Sequence, residues 1–186
     1  MGPSFDIEQT AIEEVLVVTP RRIADSRGWF SETFRASWCL DHIGRDAVFV
    51  QDNESFSRAG TLRGIHYQLP PSAQGKLVRV VSGSIYDVAV DLRRSSPTFG
   101  SWVGEILAGD SGRQMWIPEG FGHGFVALED ALVAYKTTAP YAPDRARAVA
   151  WDDASLAIDW RLGDADPILS DGDRGAPVLH RADIFA

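Results

Sequence analysis

The run FVQDNESFSRAGTLRGIHYQLPPSAQGKLVRVV, Phe49–Val81, sets ionisable and amide side chains into three strand-like stretches. Phe49-Val50-Gln51-Asp52-Asn53 alternates with period two, which predicts Gln51 and Asn53 on one face with Phe49. A buried amide on such a face needs a hydrogen-bond partner. Leu62–Gln68 reads as the next strand, with His66 on the face of Leu62 and Gly64, and Lys76–Val81 as a third, with Lys76 on the face of Val78 and Val80. The loops between them are short, which favours antiparallel pairing. A His, a Lys and two amides directed among apolar residues make a poor core and a serviceable pocket. Strict period two turns Arg63 away from His66, so a joint role for them requires a bulge or close bend at Gly64.

Outward from this run the chain continues in short apolar segments. Upstream, Val15–Val18 is a strand closed by Pro20, and Asp25–Gly28 is a turn into a second strand over Trp29–Phe34. Ala36–Ile43 has the pattern of a brief amphipathic helix ending near Gly44. Downstream, Ser82-Gly83 reads as a tight hairpin into Ile85–Leu92, where Asp87 and Asp91 share the face of Ala89. The pattern leaves that face either in solvent or lining a pocket, where Asp87 would need a partner. Strands follow at Trp102–Leu107, Gln114–Ile117 and Ala131–Thr138, the last with Val133, Tyr135 and Thr137 on one face, and the final strands are expected at Ala148–Trp151 and Ala157–Trp160. Between them, Pro118–Phe125 carries glycines at every other position, free to bend sharply, with His123 among them. More than ten short strands and almost no helix predict an antiparallel sandwich or barrel.

The chain has 186 residues, 45% of them hydrophobic and 24% charged, which fits a single globular domain over 1–186. A net charge of −8 argues against nucleic-acid binding, which wants a basic surface, so an anionic ligand requires a local cluster of Arg and Lys. The single Cys39 reads as an apolar helix residue and fits a reducing cytoplasm. No leader pattern or long apolar run is seen, and a soluble protein with no membrane association is expected. The four histidines, His42, His66, His123 and His180, stand far apart without a His-x-His pair, so no metal is expected.

QDNxSxSxxGxLRGIHYQ followed by QGKLVRV, with IPEGFGHGF and the later LSDGD, resembles the dTDP-4-dehydrorhamnose 3,5-epimerase family, and the likeness extends over Val15–Leu179. It implies an all-β, cupin-type antiparallel jelly-roll barrel with short flanking helices. It also implies inversion of carbons 3 and 5 of dTDP-4-keto-6-deoxy-D-glucose without a cofactor. Both carbons flank a ketone, so a side-chain base can take their protons once the enolate oxygen is stabilised. By the resemblance His66 is the base, Asp173 its orienting carboxylate, Tyr135 the acid on the opposite face and Lys76 the cation near the keto oxygen. Arg63, Asp87 and His123 complete the wall. Arg27, Glu32, Gln51, Asn53 and Phe30 serve the nucleotide, part of it from the neighbouring subunit of a homodimer. Residue pattern alone also allows Arg27 as a turn arginine and Glu32 as a solvated carboxylate. A single-carbon epimerase shares the same motifs, and a non-catalytic sugar-binding cupin would need the pocket alone.

Overall fold

In a computed structural model, which describes residues 5–37, 43 and 47–186, the chain folds into two facing antiparallel sheets and a separate hairpin. In chain order the strands are β1 (Phe5–Gln9), β2 (Leu16–Pro20), β3 (Arg22–Asp25), β4 (Gly28–Ser31), β5 (Gln51–Ser57), β6 (Leu62–Gln68), β7 (Lys76–Ser82) and β8 (Ser84–Asp91). They continue with β9 (Trp102–Ala108), β10 (Gln114–Ile117), β11 (Phe121–Ala127), β12 (Ala131–Thr137) and β13 (Ala146–Ala148). One sheet has six strands in the order β1-β2-β10-β7-β12-β5, the other five in the order β13-β6-β11-β8-β9, and β3 pairs with β4 alone. This is the expected cupin-type jelly roll. The helix predicted over Ala36–Ile43, with Cys39 and His42, lies largely outside the described residues. A short helix, α1, spans Asp171–Arg174.

The expected pairing of β5, β6 and β7 with one another is corrected. Each pairs across the chain instead: β5 with β12, β6 with β11 and β13, and β7 with β10 and β12. Ser82-Gly83 is likewise no hairpin, since β7 and β8 belong to different sheets. Gly83 has φ +76°, and a side chain there would meet the Asp130 carbonyl at 2.1 Å, so the turn requires glycine to carry the chain between layers. Short loops can join neighbours within a sheet or cross between sheets, and burial of two apolar faces selected the second.

Val78, Val80, Ala89, Met115, Phe121, Phe125 and Val133 meet between the sheets. The outer face of the five-stranded sheet is covered as well, where Leu62, Ile65, Tyr67, Val88 and Val90 pack under Val149, Leu156, Trp160 and Leu179 from the C-terminal segment. Both faces of β8 are therefore buried. Ala157–Trp160 is not a strand: Ala157 has φ 47°, and the Trp160 indole donates to the Trp151 carbonyl at 2.8 Å while its ring plugs this layer. The strand expected at Ala148–Trp151 instead occupies Ala146–Ala148. The second strand is shorter than Trp29–Phe34 and ends at Ser31. Phe49 leaves the face of Gln51 and Asn53 and packs edge-on against Phe34 and Trp116 on the outside of the six-stranded sheet.

Candidate active site

The chemistry gathers in a cavity of about 340 Å³ between the sheets, lined by Arg63, His66, Lys76, His123 and Tyr135, and also by Ser55, Gln68, Tyr141 and Arg147. Larger hollows of about 450 and 490 Å³ lie elsewhere, and among the described residues neither is lined by a histidine.

On β6 the expected irregularity at Gly64 is present. His66 stands opposite His123 and Arg63 opposite Phe125, so three steps along β6 match two along β11. This bulge breaks period two and brings Arg63 and His66 to the same cavity. The expectation that His66 shares the face of Leu62 is corrected for the same reason, because Leu62 packs in the outer cluster. Gly64 has φ +136°, and a Cβ there would lie 2.4 Å from the Gly124 Cα, so the bulge requires glycine.

β11 is a regular strand, not the sharp bend its glycines suggested. Gly122 and Gly124 are small for close packing: a Cβ would approach Ile65 Cγ2 at 2.4 Å from the first and the Arg63 carbonyl at 3.0 Å from the second. His123 faces inward, buried, and its Nε2 lies 2.7 Å from Asp87 Oδ1. Asp87 is therefore the buried acid with a partner, and the solvent-face alternative is excluded. Burial lowers the His123 pKa, with the Asp87 charge opposing that shift.

The His66 Nε2 lies 2.6 Å from Asp173 Oδ1. Asp173 is 4% exposed and sits on α1, so the C-terminal segment does fold back to the strand bearing His66. Burial acts to raise its pKa, but hydrogen bonds from His66, Ser170 and the Gly64 amide outweigh this and hold it at about 2. The carboxylate thus stays an anion facing the imidazole. Ser170 was not singled out from sequence. Its position three residues before an acid is the pattern of a capping serine, and that signal could have found it.

Across the cavity, β7 and β12 of the six-stranded sheet supply Lys76 and Tyr135 on the faces predicted for them. Lys76 is 8% exposed, and its Nζ donates to the His66 carbonyl at 3.3 Å. Burial lowers its pKa to about 8, partly offset by the charge of Asp87. Burial raises that of Tyr135, with Arg63 opposing, which keeps the phenol protonated at neutral pH. On neighbouring β5, Gln51 donates to Asn53 Oδ1 at 2.7 Å and accepts from the Tyr141 amide at 2.9 Å. Asn53 lies opposite Tyr135 in register. Tyr141 and Arg147 were missed, because both lie in or beside irregular chain where no periodicity assigns a face.

None of the five predicted nucleotide residues, Arg27, Phe30, Glu32, Gln51 and Asn53, lines this cavity within one chain. Arg27 pairs with Asp25 at 2.6 Å in the exposed β3–β4 turn, Glu32 with Arg35 at 2.5 Å, and Phe30 is 68% exposed on β4.

A jelly-roll barrel that opposes a His–Asp pair to a buried Lys and a half-buried Tyr defines a class of enzyme suited to moving protons at carbon beside a carbonyl. The family model for dTDP-4-dehydrorhamnose 3,5-epimerase matches residues 9–181, and the chain belongs to that family. It is 51% identical over 176 residues to the dTDP-4-dehydrorhamnose 3,5-epimerase of Pseudomonas aeruginosa, covering 94% of this chain and 96% of the relative. Among solved structures it resembles the 3,5-epimerase of Legionella pneumophila in complex with dTDP-4-keto-L-rhamnose, with 46% identity, a TM-score of 0.92 and coverage of 96% and 95%. It also resembles a 3′-monoepimerase from Streptomyces bikiniensis in complex with dTDP-quinovose, with 36% identity, a TM-score of 0.86 and coverage of 92% and 87%.

Proposed function

We propose that this chain inverts carbons 3 and 5 of dTDP-4-keto-6-deoxy-D-glucose, giving dTDP-4-dehydro-L-rhamnose. The observation that carries this reading is the opposition of His66, from one sheet, to Tyr135, from the other, across a single cavity. His66 removes the proton beside the ketone, and Asp173 holds the ring and stabilises the imidazolium that forms. Lys76 favours negative charge on the keto oxygen as the enolate develops. Tyr135 returns a proton to the other side of the carbon, which inverts it. None of these steps needs electrons or a metal.

The nucleotide site is proposed to be completed by a second copy of the chain in a homodimer. Support comes from the β3–β4 hairpin, whose Trp29 and Phe30 are 58% and 68% exposed and whose Arg27 pairs with Asp25 and does not line its own cavity. The hairpin base is anchored by Arg22, which donates to the Gly109 and Asp110 carbonyls and stacks over Trp29 at 4.2 Å. From such a hairpin Arg27 can meet the diphosphate of a partner's substrate with bidentate geometry. Gln51 and Asn53 would hold the base. Among the described residues no helix is long and apolar enough to cross a membrane, and reaction in the cytoplasm is proposed.

The likeness to the Streptomyces bikiniensis monoepimerase supports a second reading, inversion at one carbon only. Incubation with dTDP-4-keto-6-deoxy-D-glucose in heavy water separates the readings. Deuterium at both carbons with the L-rhamno product is expected. Inversion at one carbon would establish the second reading, and protons untouched at both would overturn catalysis altogether.

A further inference from the structure

We propose that Ser170 is a positioning residue for proton transfer, acting on His66 through Asp173. Its hydroxyl makes two hydrogen bonds to one residue: it donates to Asp173 Oδ2 at 2.6 Å and accepts from the Asp173 amide at 3.1 Å. The carboxylate is thereby held at both oxygens, because Oδ1 faces His66 Nε2 at 2.6 Å and the Gly64 amide at 3.3 Å. A carboxylate gripped at one oxygen can rotate about its last bond. Gripped at both, it presents Oδ1 to the imidazole in a single orientation.

The location of Asp173 makes this grip matter. α1 is four residues long and is capped at its start by Ser170, so the helix contributes little rigidity of its own. Asp173 is buried, so the loss of a donor weakens the hold on Oδ2. Ser170 itself is exposed, and its side-chain bonds go to Asp173 alone. It touches neither Lys76 nor Tyr135, and it lines no part of the cavity. Its removal should therefore alter the base and leave substrate binding intact.

This inference rests on the proposed epimerase reading, and wild-type turnover of dTDP-4-keto-6-deoxy-D-glucose with deuterium uptake tests that reading separately. Given an active wild type, Ser170→Ala should lower kcat by about ten- to a hundredfold, the value of one hydrogen bond to a charged group, with KM little changed. Ser170→Thr keeps the hydroxyl, has room for its methyl at an exposed position, and should restore kcat. In an Asp173→Asn background, Ser170→Ala should cost nothing further, because its only route to the imidazole has already gone. Wild-type kcat in Ser170→Ala overturns the proposal, as does a loss that multiplies with that of Asp173→Asn. Should Ser170→Ala fold poorly by its melting temperature, Ser170→Asp decides. It caps the helix equally well but has no proton to donate at neutral pH. Because its charge also opposes that of Asp173, the folded Ser170→Gly variant is read beside it: glycine is tolerated at a cap at little cost but has no hydroxyl to donate, so low kcat in folded Ser170→Gly supports the proposal and wild-type kcat in either variant sinks it.

Discussion

His66 and Tyr135 enter the cavity from different sheets, and that separation allows the two halves of the proposed reaction to be taken apart. With Tyr135→Phe the enolate can still form beside Lys76 and regain a proton from His66 on its original side. Solvent deuterium should then enter the substrate faster than configuration changes, whereas equal loss of exchange and inversion would make Tyr135 a residue that only positions the sugar. His66→Asn should abolish both. Lys76 adds a pH dependence. Its burial lowers the ammonium pKa to about 8, so the cation proposed to face the enolate oxygen is lost as pH rises through that value. The alkaline limb of kcat/KM is expected near pH 8, and Lys76→Met should give a slower enzyme without it. A limb unmoved in that variant would assign it elsewhere. Much at this scale was legible in sequence. Lys76, Tyr135 and the Gln51–Asn53 pair follow from period two, while Asp87 and His123 became partners only when β8 and β11 were set side by side.

At the scale of the element, β6 bears the largest burden, because one bulge turns Arg63 and His66 inward together and points the Gly64 amide at Asp173. Gly64→Ala should therefore remove activity and destabilise the fold. The positive φ alone costs about 1–2 kcal/mol, and the new Cβ would strike the backbone of Gly124. Denaturant unfolding checks this. Gly122→Ala is expected to be milder, since its new Cβ meets the side chains of Ile65 and Leu92, which can shift where backbone cannot. The alternation of Gly122, His123 and Gly124 was visible in sequence, yet its purpose was not. A glycine that bends a chain and a glycine that admits a neighbour are the same letter, and only the facing strand distinguishes them. Ala157–Trp160 shows the same limit, since an apolar run packed flat over a sheet has the composition of a strand within one.

For the whole molecule, acid should act in two windows. His123 has a lowered pKa in the fold, so below the ordinary histidine value of about 6.5 the unfolded chain takes up a proton that the folded chain resists. Asp173 and Asp91 both sit at about 2 despite burial, which acts to raise them. Their contribution is present above the unfolded value of about 3.9 and is lost as pH falls toward 2. In every case the unfolded state binds more protons, so stability measured by denaturant should fall in both windows; a flat profile between pH 7 and 5 would remove His123 from the account. The proposed dimer has its own test. Arg27→Ala should weaken dTDP binding about ten- to a hundredfold. If Arg27 serves the partner's site, mixing that variant with His66→Asn under subunit exchange creates hybrids with one intact site, and activity should return to about a quarter of wild type in a two-fold dimer. No recovery would place Arg27 and His66 in the same subunit's site, or Arg27 in none. The sequence by itself determined the strand-rich class and the family, and it supplied the residues proposed for proton transfer, because alternation and motif are local properties written along the chain. Tertiary structure alone decided which strands pair, which way the Gly64 bulge turns, and how Asp173 reaches a histidine more than a hundred residues earlier. Those depend on two sheets burying their faces together, and no short stretch of chain contains that information.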